Sequence, residues 1–209
     1  MALVIALLVL SLGIHEAAHG WVALKCGDTT ARDLGRITLN PIPHIDPVMT
    51  ILVPAVLYLS GSPIFGGAKP VPVNYYNLRS PLRDMALVAI AGPASNFLLA
   101  IFFALSWKCV LQFDVWNTTA VGPTVLLHAV FFNLVLAAFN LLPIPPLDGS
   151  RVMTWLLPGG LRDSYVMLER FGLLLVIAAL YLVPQVHGFV NETVTVMWHR
   201  VDVLTGGTW

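Results

Sequence analysis

Charged side chains are scarce in this chain. Of its 209 residues only 11% are Asp, Glu, Lys or Arg, while 57% are hydrophobic. Soluble domains carry roughly 25% charged residues, so an integral membrane protein is expected instead. Net charge is lacking too, with 11 basic residues against 11 acidic ones, and nothing in that balance points to a nucleic-acid partner. Cysteine is limited to Cys26 and Cys109. These lie on different expected helices and read as packing residues rather than a disulfide. The first apolar run has no basic n-region, so it is not read as a cleaved signal peptide. Repeats and low-complexity segments are absent. The length suits one domain over 1–209, with a core at 1–150 and a C-terminal helix and amphipathic tail at 164–209.

What the chain does have is long apolar runs. Helices are expected from about Ala2 to Lys25, Ala86 to Trp107, Val125 to Leu147 and Phe171 to Val183, separated by polar, turn-rich loops. The run 47–60 is short and carries Pro47 and Pro54, which suits a re-entrant or interfacial segment. Arg36–Leu39 reads as a short strand. Lys69-Pro70-Val71-Pro72-Val73 reads as extended chain, either a free edge able to hold a peptide or a proline-stiffened loop. The tail 186–204 has the pattern of an amphipathic interfacial helix. The fold class is therefore an all-α polytopic membrane protein of about four transmembrane helices, with a re-entrant or interfacial segment and short extended strands.

One stretch does not belong in lipid. His15-Glu16-Ala17-Ala18-His19 lies inside the first apolar run. Residues four apart share a helix face, so His15 and His19 project together and can hold one divalent ion. Glu16 stands one step on, where its carboxylate can take a proton from a water at that ion. This is the H-E-x-x-H pattern of zinc hydrolases, and ionisable groups at membrane depth are costly and usually functional.

A catalytic zinc site needs a third protein ligand. His128 lies twenty residues before Asp148, about 30 Å away along a helix, and Asp163 and Glu169 lie in a loop. His44 and Asp46 read as loop residues, with metal access as their alternative role. Asp148 is the best candidate. Pro143, Pro145 and Pro146 break the helix just before it, and unwound backbone at membrane depth must be buried or line a wet cavity. Loop charges support the same arrangement. Lys25, Arg32 and Arg36, then Lys69, Arg79 and Arg83, then Arg151, Arg162 and Arg170 mark three loops as cytoplasmic, whereas loop 108–124 holds only Lys108. If 47–60 does not cross, the end of the first helix and Asp148 face the same side. Asn96 needs a polar partner within the bundle. Asn140 can serve a substrate backbone or developing oxyanion, or bind helix to helix.

Three motifs now stand in order: His15-Glu16-x-x-His19, Gly92-Pro93-x-x-Asn96, and Asn140-x-x-Pro143 leading to Asp148-Gly149. Together they resemble the site-2 protease family of intramembrane zinc metalloproteases. The segment Gly66–Val73 is similar to that of compact bacterial members, and a member without an inserted PDZ module is expected. The resemblance implies one zinc ion held by His15, His19 and Asp148, Glu16 as the catalytic group, and cleavage of a transmembrane protein or peptide near the cytoplasmic side of a multi-pass protein of the cell membrane. Lys69, Val71 and Val73 are the candidate strand for an extended substrate. No oligomeric state is implied. Two other classes use the same residues. A divalent-metal transporter would use His15, His19 and Asp148 as transit ligands, and an inactive scaffold would only bind transmembrane helices.

Overall fold

A computed structural model describes residues 2–59, 61, 66–113 and 121–207. Residues 62–65 and 114–120 of the expected loops lie outside the described residues. The first helix, α1 (Ala2–Cys26), covers the first apolar run. It closes on Gly27, whose φ of 112° is left-handed. The Asp28 amide bonds the Ala23 carbonyl at 2.9 Å and the Gly27 amide bonds that of Leu24 at 3.2 Å, the paired bonds of a Schellman ending. A single turn, α2 (Thr30–Asp33), follows.

The segment expected to be re-entrant winds as a π-helical turn over Pro47–Leu52 and continues as α3 (Val53–Leu59). Pro54 has no N–H to give the Thr50 carbonyl, so the turn before it cannot close as a regular α-helix. Thirteen residues reach about 20 Å, short of the roughly 30 Å of a hydrocarbon core. The long helix α4 (Pro81–Gln112) spans 32 residues with Pro93 inside it and Pro81 in its first turn. It is followed by α5 (Val121–Asn140).

Three expectations are corrected. No strand forms among the described residues. Arg36–Leu39 finds no neighbouring ladder, and Arg36 instead donates to the carbonyls of Lys69 at 2.9 Å and Pro70 at 3.3 Å. The third span stops at Asn140 rather than Leu147, because Pro143 cannot donate to the Phe139 carbonyl and would clash with it. The stretch 150–170 is helical: α6 (Asp148–Leu156), α7 (Gly159–Met167) and a 3₁₀ turn over Leu168–Phe171 precede α8 (Gly172–Leu182). Its arginines tie these helices together. Arg162 donates to the carbonyls of Thr154 and Leu157 at the end of α6, and Arg151 forms a two-pronged pair with Glu169.

The tail forms the helix α9 (Pro184–Leu204), and it packs onto the bundle. Val201 is buried with Ala100, Phe103 and Ala104 of α4 and Ala129, Val130 and Leu134 of α5. Small side chains let these helices approach closely. Lys108 donates to the carbonyls of Thr205 and Gly207 at 3.0 and 2.7 Å, where a cation complements a helix C-terminus. Four helical stretches are long and apolar enough to cross a membrane: Ala6–Cys26, Pro81–Gln112, Gly122–Asn140 and Gly159–Leu182. Leu98, Phe102, Leu174 and Leu182 are exposed on them, as a lipid-facing surface requires. The protein is an all-α, multi-pass membrane protein.

Asp28 fastens the turn between α1 and α2 to the segment before α4. It is fully buried and accepts bonds from the Thr30 amide and hydroxyl, the Asn74 amide at 2.7 Å and the Asn77 side chain at 3.0 Å. Burial pushes its carboxyl up, but these donors outweigh burial and hold it below the ordinary carboxylate range. A depressed folded pKa stabilises the fold above the unfolded value of about 3.9, and the contribution is lost as pH falls through the folded value. Asp28→Ala should lower stability at pH 7 by about 1–3 kcal/mol. Melting curves of wild type and variant in detergent should differ at pH 7 and converge toward pH 3; a gap that persists at low pH would contradict this account.

Candidate metal centre

Helical periodicity gives α1 two working faces around its motif. His15 and His19 are buried and turn toward α4. The His15 Nδ1 lies 2.5 Å from Asn96 Oδ1. The Asn96 amide donates to Asn133 Oδ1 at 3.0 Å, and Asn133 Nδ2 donates to Ser11 Oγ and the Ala129 carbonyl. That chain leaves Asn96 Oδ1 as an acceptor, so the His15 Nδ1 carries the proton. The His19 Nδ1 lies 2.7 Å from the Val88 carbonyl, which can only accept, so it also carries a proton. In the neutral imidazoles this leaves both Nε2 atoms as the metal-binding positions, and they face each other at 3.1 Å.

Asp148 completes the set. Its carboxylate oxygens lie 3.2 Å from His15 Nε2 and 3.4 Å from His19 Nε2. Asp148 is the first residue of α6 rather than the last of α5, and Leu147 before it is extended. Gly149 makes this docking possible. A Cβ there would lie 2.2 Å from the Leu141 carbonyl oxygen and 2.5 Å from that of Leu142, so only glycine lets α6 start against the broken end of α5. The Tyr165 hydroxyl fixes the break by donating to the Pro143 carbonyl at 2.8 Å.

Three metal-ligating groups thus converge on one point. Asp148 Oδ2 is buried with no hydrogen-bond donor. Such groups stay this close when a proton or a metal ion lies among them. In a tetrahedral site with bonds of about 2.0–2.1 Å, neighbouring donor atoms sit about 3.3 Å apart, and the observed separations match that spacing. The residues present fit a zinc ion.

Glu16 is half-buried on the adjoining face of α1. Ligand atoms of His15, Glu16 and His19 all lie within 4.8 Å of one another. The Glu16 Oε2 accepts the Val71 amide at 2.8 Å. Asn140 ends α5 and donates to the Leu136 carbonyl at 3.0 Å within its own helix. In the proposed substrate strand, the Lys69 amide bonds the His44 carbonyl at 2.7 Å, and Val71 bonds Glu16. Pro70 and Pro72 have no amide hydrogen, so among the described residues only Val73 keeps an unbonded N–H in that stretch. Other polar residues lie in separate contacts. Asp46 caps the π-helical turn through the Val48 and Met49 amides, His44 Nε2 meets the Thr38 carbonyl, and His128 Nδ1 meets that of Thr124.

Gly92 was legible only as part of a motif, yet it sets the room for both imidazoles. A Cβ at Gly92 would lie 2.5 Å from His15 Cε1 and from His19 Nε2. Nothing in a single sequence distinguishes such a glycine from an ordinary helix-packing one.

Comparison with known proteins agrees with this centre. Residues 112–182 match the pattern described as Peptidase family M50. Two similar proteins are both named as putative zinc metalloproteases. YwhC of Bacillus subtilis is 40% identical over 187 residues, which make up 88% of this chain and 82% of YwhC. Rip2 of Mycolicibacterium smegmatis is 29% identical over 180 residues, 85% of this chain and 66% of Rip2. No solved structure matches the chain. The family pattern over 112–182, and a relative 40% identical over most of both chains, make this chain a zinc metalloprotease of peptidase family M50, the site-2 protease family.

Proposed function

We propose that the protein cleaves the membrane-embedded part of other membrane proteins, near the cytoplasmic face of the cell membrane, with one zinc ion held by His15, His19 and Asp148. The observation that carries this reading is the convergence of two imidazoles and a carboxylate at 3.1–3.4 Å beside the Glu16 carboxylate. Zinc at such a site lowers the pKa of a water and polarises a carbonyl. Glu16 takes the proton of the attacking water and delivers it to the leaving amine nitrogen. Its position one residue from a ligand keeps it in reach of both.

The substrate must be extended where it is cut, since a helix hides its carbonyls in its own hydrogen bonds. The non-helical chain 141–147 and the strap around Lys69–Val73 flank the centre and offer main-chain partners. Because the Lys69 and Val71 amides are already bonded, Val73 is the donor left to the substrate along that strap. Asn140, at the lip of the break, is placed to donate to a substrate carbonyl if it turns from Leu136. The basic residues Lys25, Arg32, Arg36, Lys69, Arg79, Arg83 and Arg151 support a cytoplasmic position for this end of the bundle.

Two measurements test the reading. Glu16→Gln should abolish cleavage of a reconstituted transmembrane peptide while retaining stoichiometric zinc, and Asp148→Ala should lose most of its zinc by elemental analysis. Cleavage by the Gln variant would exclude Glu16 from the chemistry, and metal flux without proteolysis would favour a transporter. Gly92→Ala isolates the steric claim. Overpacking of a filled site typically costs about 1–3 kcal/mol, so zinc affinity should drop about 10-fold or more. An Ala variant with wild-type affinity would show that the imidazoles can move aside.

A further inference from the structure

We propose that the main-chain N–H of Val71 positions the Glu16 carboxylate for proton transfer, and that Arg36 and Asp28 are positioning residues acting through the strap that carries it. This inference rests on the catalytic role of Glu16 proposed above.

The Glu16 face of α1 is covered by short turns and extended chain rather than by a long helix. Gly13 and Gly20 lie three residues before and four after Glu16, on its side of the helix. A Cβ at Gly13 would meet Pro41 and His44 at 3.5 and 3.6 Å, and one at Gly20 would meet Ala31, Ile37 and Val71, each at 3.1 Å. Short turns and extended chain therefore close over this face, and the missing side chain of Gly20 makes the notch in which Val71 sits, 7% exposed. Seated there, Val71 gives its amide hydrogen to Glu16 Oε2 at 2.8 Å. Among the described residues this is the only hydrogen bond Glu16 receives. It engages one carboxylate oxygen and leaves the other for the reacting water.

The strap is built to hold that amide still. Pro70 and Pro72 flank Val71, fixing φ on both sides and restricting Val71 itself to extended backbone. Upstream, His44 accepts from Lys69, and Arg36 donates to the carbonyls of Lys69 and Pro70. Downstream, Asp28 accepts from the Asn74 amide and the Asn77 side chain, and the Arg79 amide bonds the Cys26 carbonyl at 3.1 Å. A glutamate side chain turns about three bonds. One fixed donor selects the arrangement aimed at the water, and misplacement of a reacting group by about 1 Å can cost on the order of 100-fold in rate.

The contact is tested without turnover, in the metal-free full chain labelled with ¹⁵N-valine. In Glu16→Ala the Val71 amide should exchange with deuterium at least about tenfold faster than in wild type; unchanged exchange would overturn the proposal. Its role is tested with the zinc-loaded enzyme and a membrane peptide. Val71→Pro removes the N–H and keeps an extended chain, whereas Val71→Ala keeps the N–H and trims the packing. The Pro variant should have a kcat about 10- to 100-fold below the Ala variant, at equal zinc content and similar KM. If the Pro variant loses zinc or aggregates, Arg36→Ala decides, with kcat about tenfold down at full zinc content and partly restored in Arg36→Lys; wild-type kcat in Arg36→Ala would overturn the proposal. If wild type cuts no membrane peptide, the functional reading fails and this role with it. If it cuts and the two Val71 variants turn over alike, this proposal alone fails.

Discussion

The hydrogen bond between Asn96 and His15 is the constraint on which the rest depends. A histidine inside a membrane bundle can serve as a ligand only if one ring nitrogen is proton-free and correctly aimed, and the other nitrogen decides this. Here the decision comes from a chain of fully buried groups, Ser11, Asn133 and Asn96, contributed by α1, α5 and α4. Each amide in that chain has its orientation fixed by the next. His19 reaches the same state by a simpler route through the Val88 carbonyl. The polar network thus links the packing of three spans to the protonation pattern of the centre, and it satisfies groups that would be costly if left unpaired in lipid.

Backbone proximity is the second constraint. Two glycines remove side chains where helices must nearly touch the site: Gly92 under the imidazoles, and Gly149 against the carbonyls at the broken end of α5. The prolines of 143–146 end α5 early, so the chain can turn and start α6 at Asp148. A helix continuing through these residues would carry the carboxylate away from the centre. The arginines of α6 and α7 then hold the short helices in place through Glu169 and the carbonyls of Thr154 and Leu157.

Much of this could be read from the residues. H-E-x-x-H within an apolar run marks a metal centre by spacing alone, and the proline cluster marks where the following aspartate meets unwound chain. Loop charge, independent of the site, gave the same pairing of helix ends. What could not be read has a common physical source. The helices of 148–171 are short and amphipathic, and their arginines look like loop charge until their carbonyl partners are known. The strand at Arg36–Leu39 had the right residue types, but strand formation needs a neighbour, which sequence does not show. The Val71 to Glu16 bond spans 55 residues and uses a backbone amide, a group that every residue but proline carries, so no residue type announces it.

The two faces of α1 therefore differ in kind. On the histidine side, regular helices fix the ligands through buried side chains and close backbone contacts, which makes the metal geometry part of the core. On the glutamate side, the partner is non-helical chain stiffened by prolines and tied down at its ends by Arg36 and Asp28. Changes in α4 reach the imidazoles, since Asn96 and the Val88 carbonyl brace both rings. Changes in the strap reach Glu16 through a single amide. In the function proposed above, this division lets the side that receives an extended substrate adjust while the imidazole side stays packed in the core.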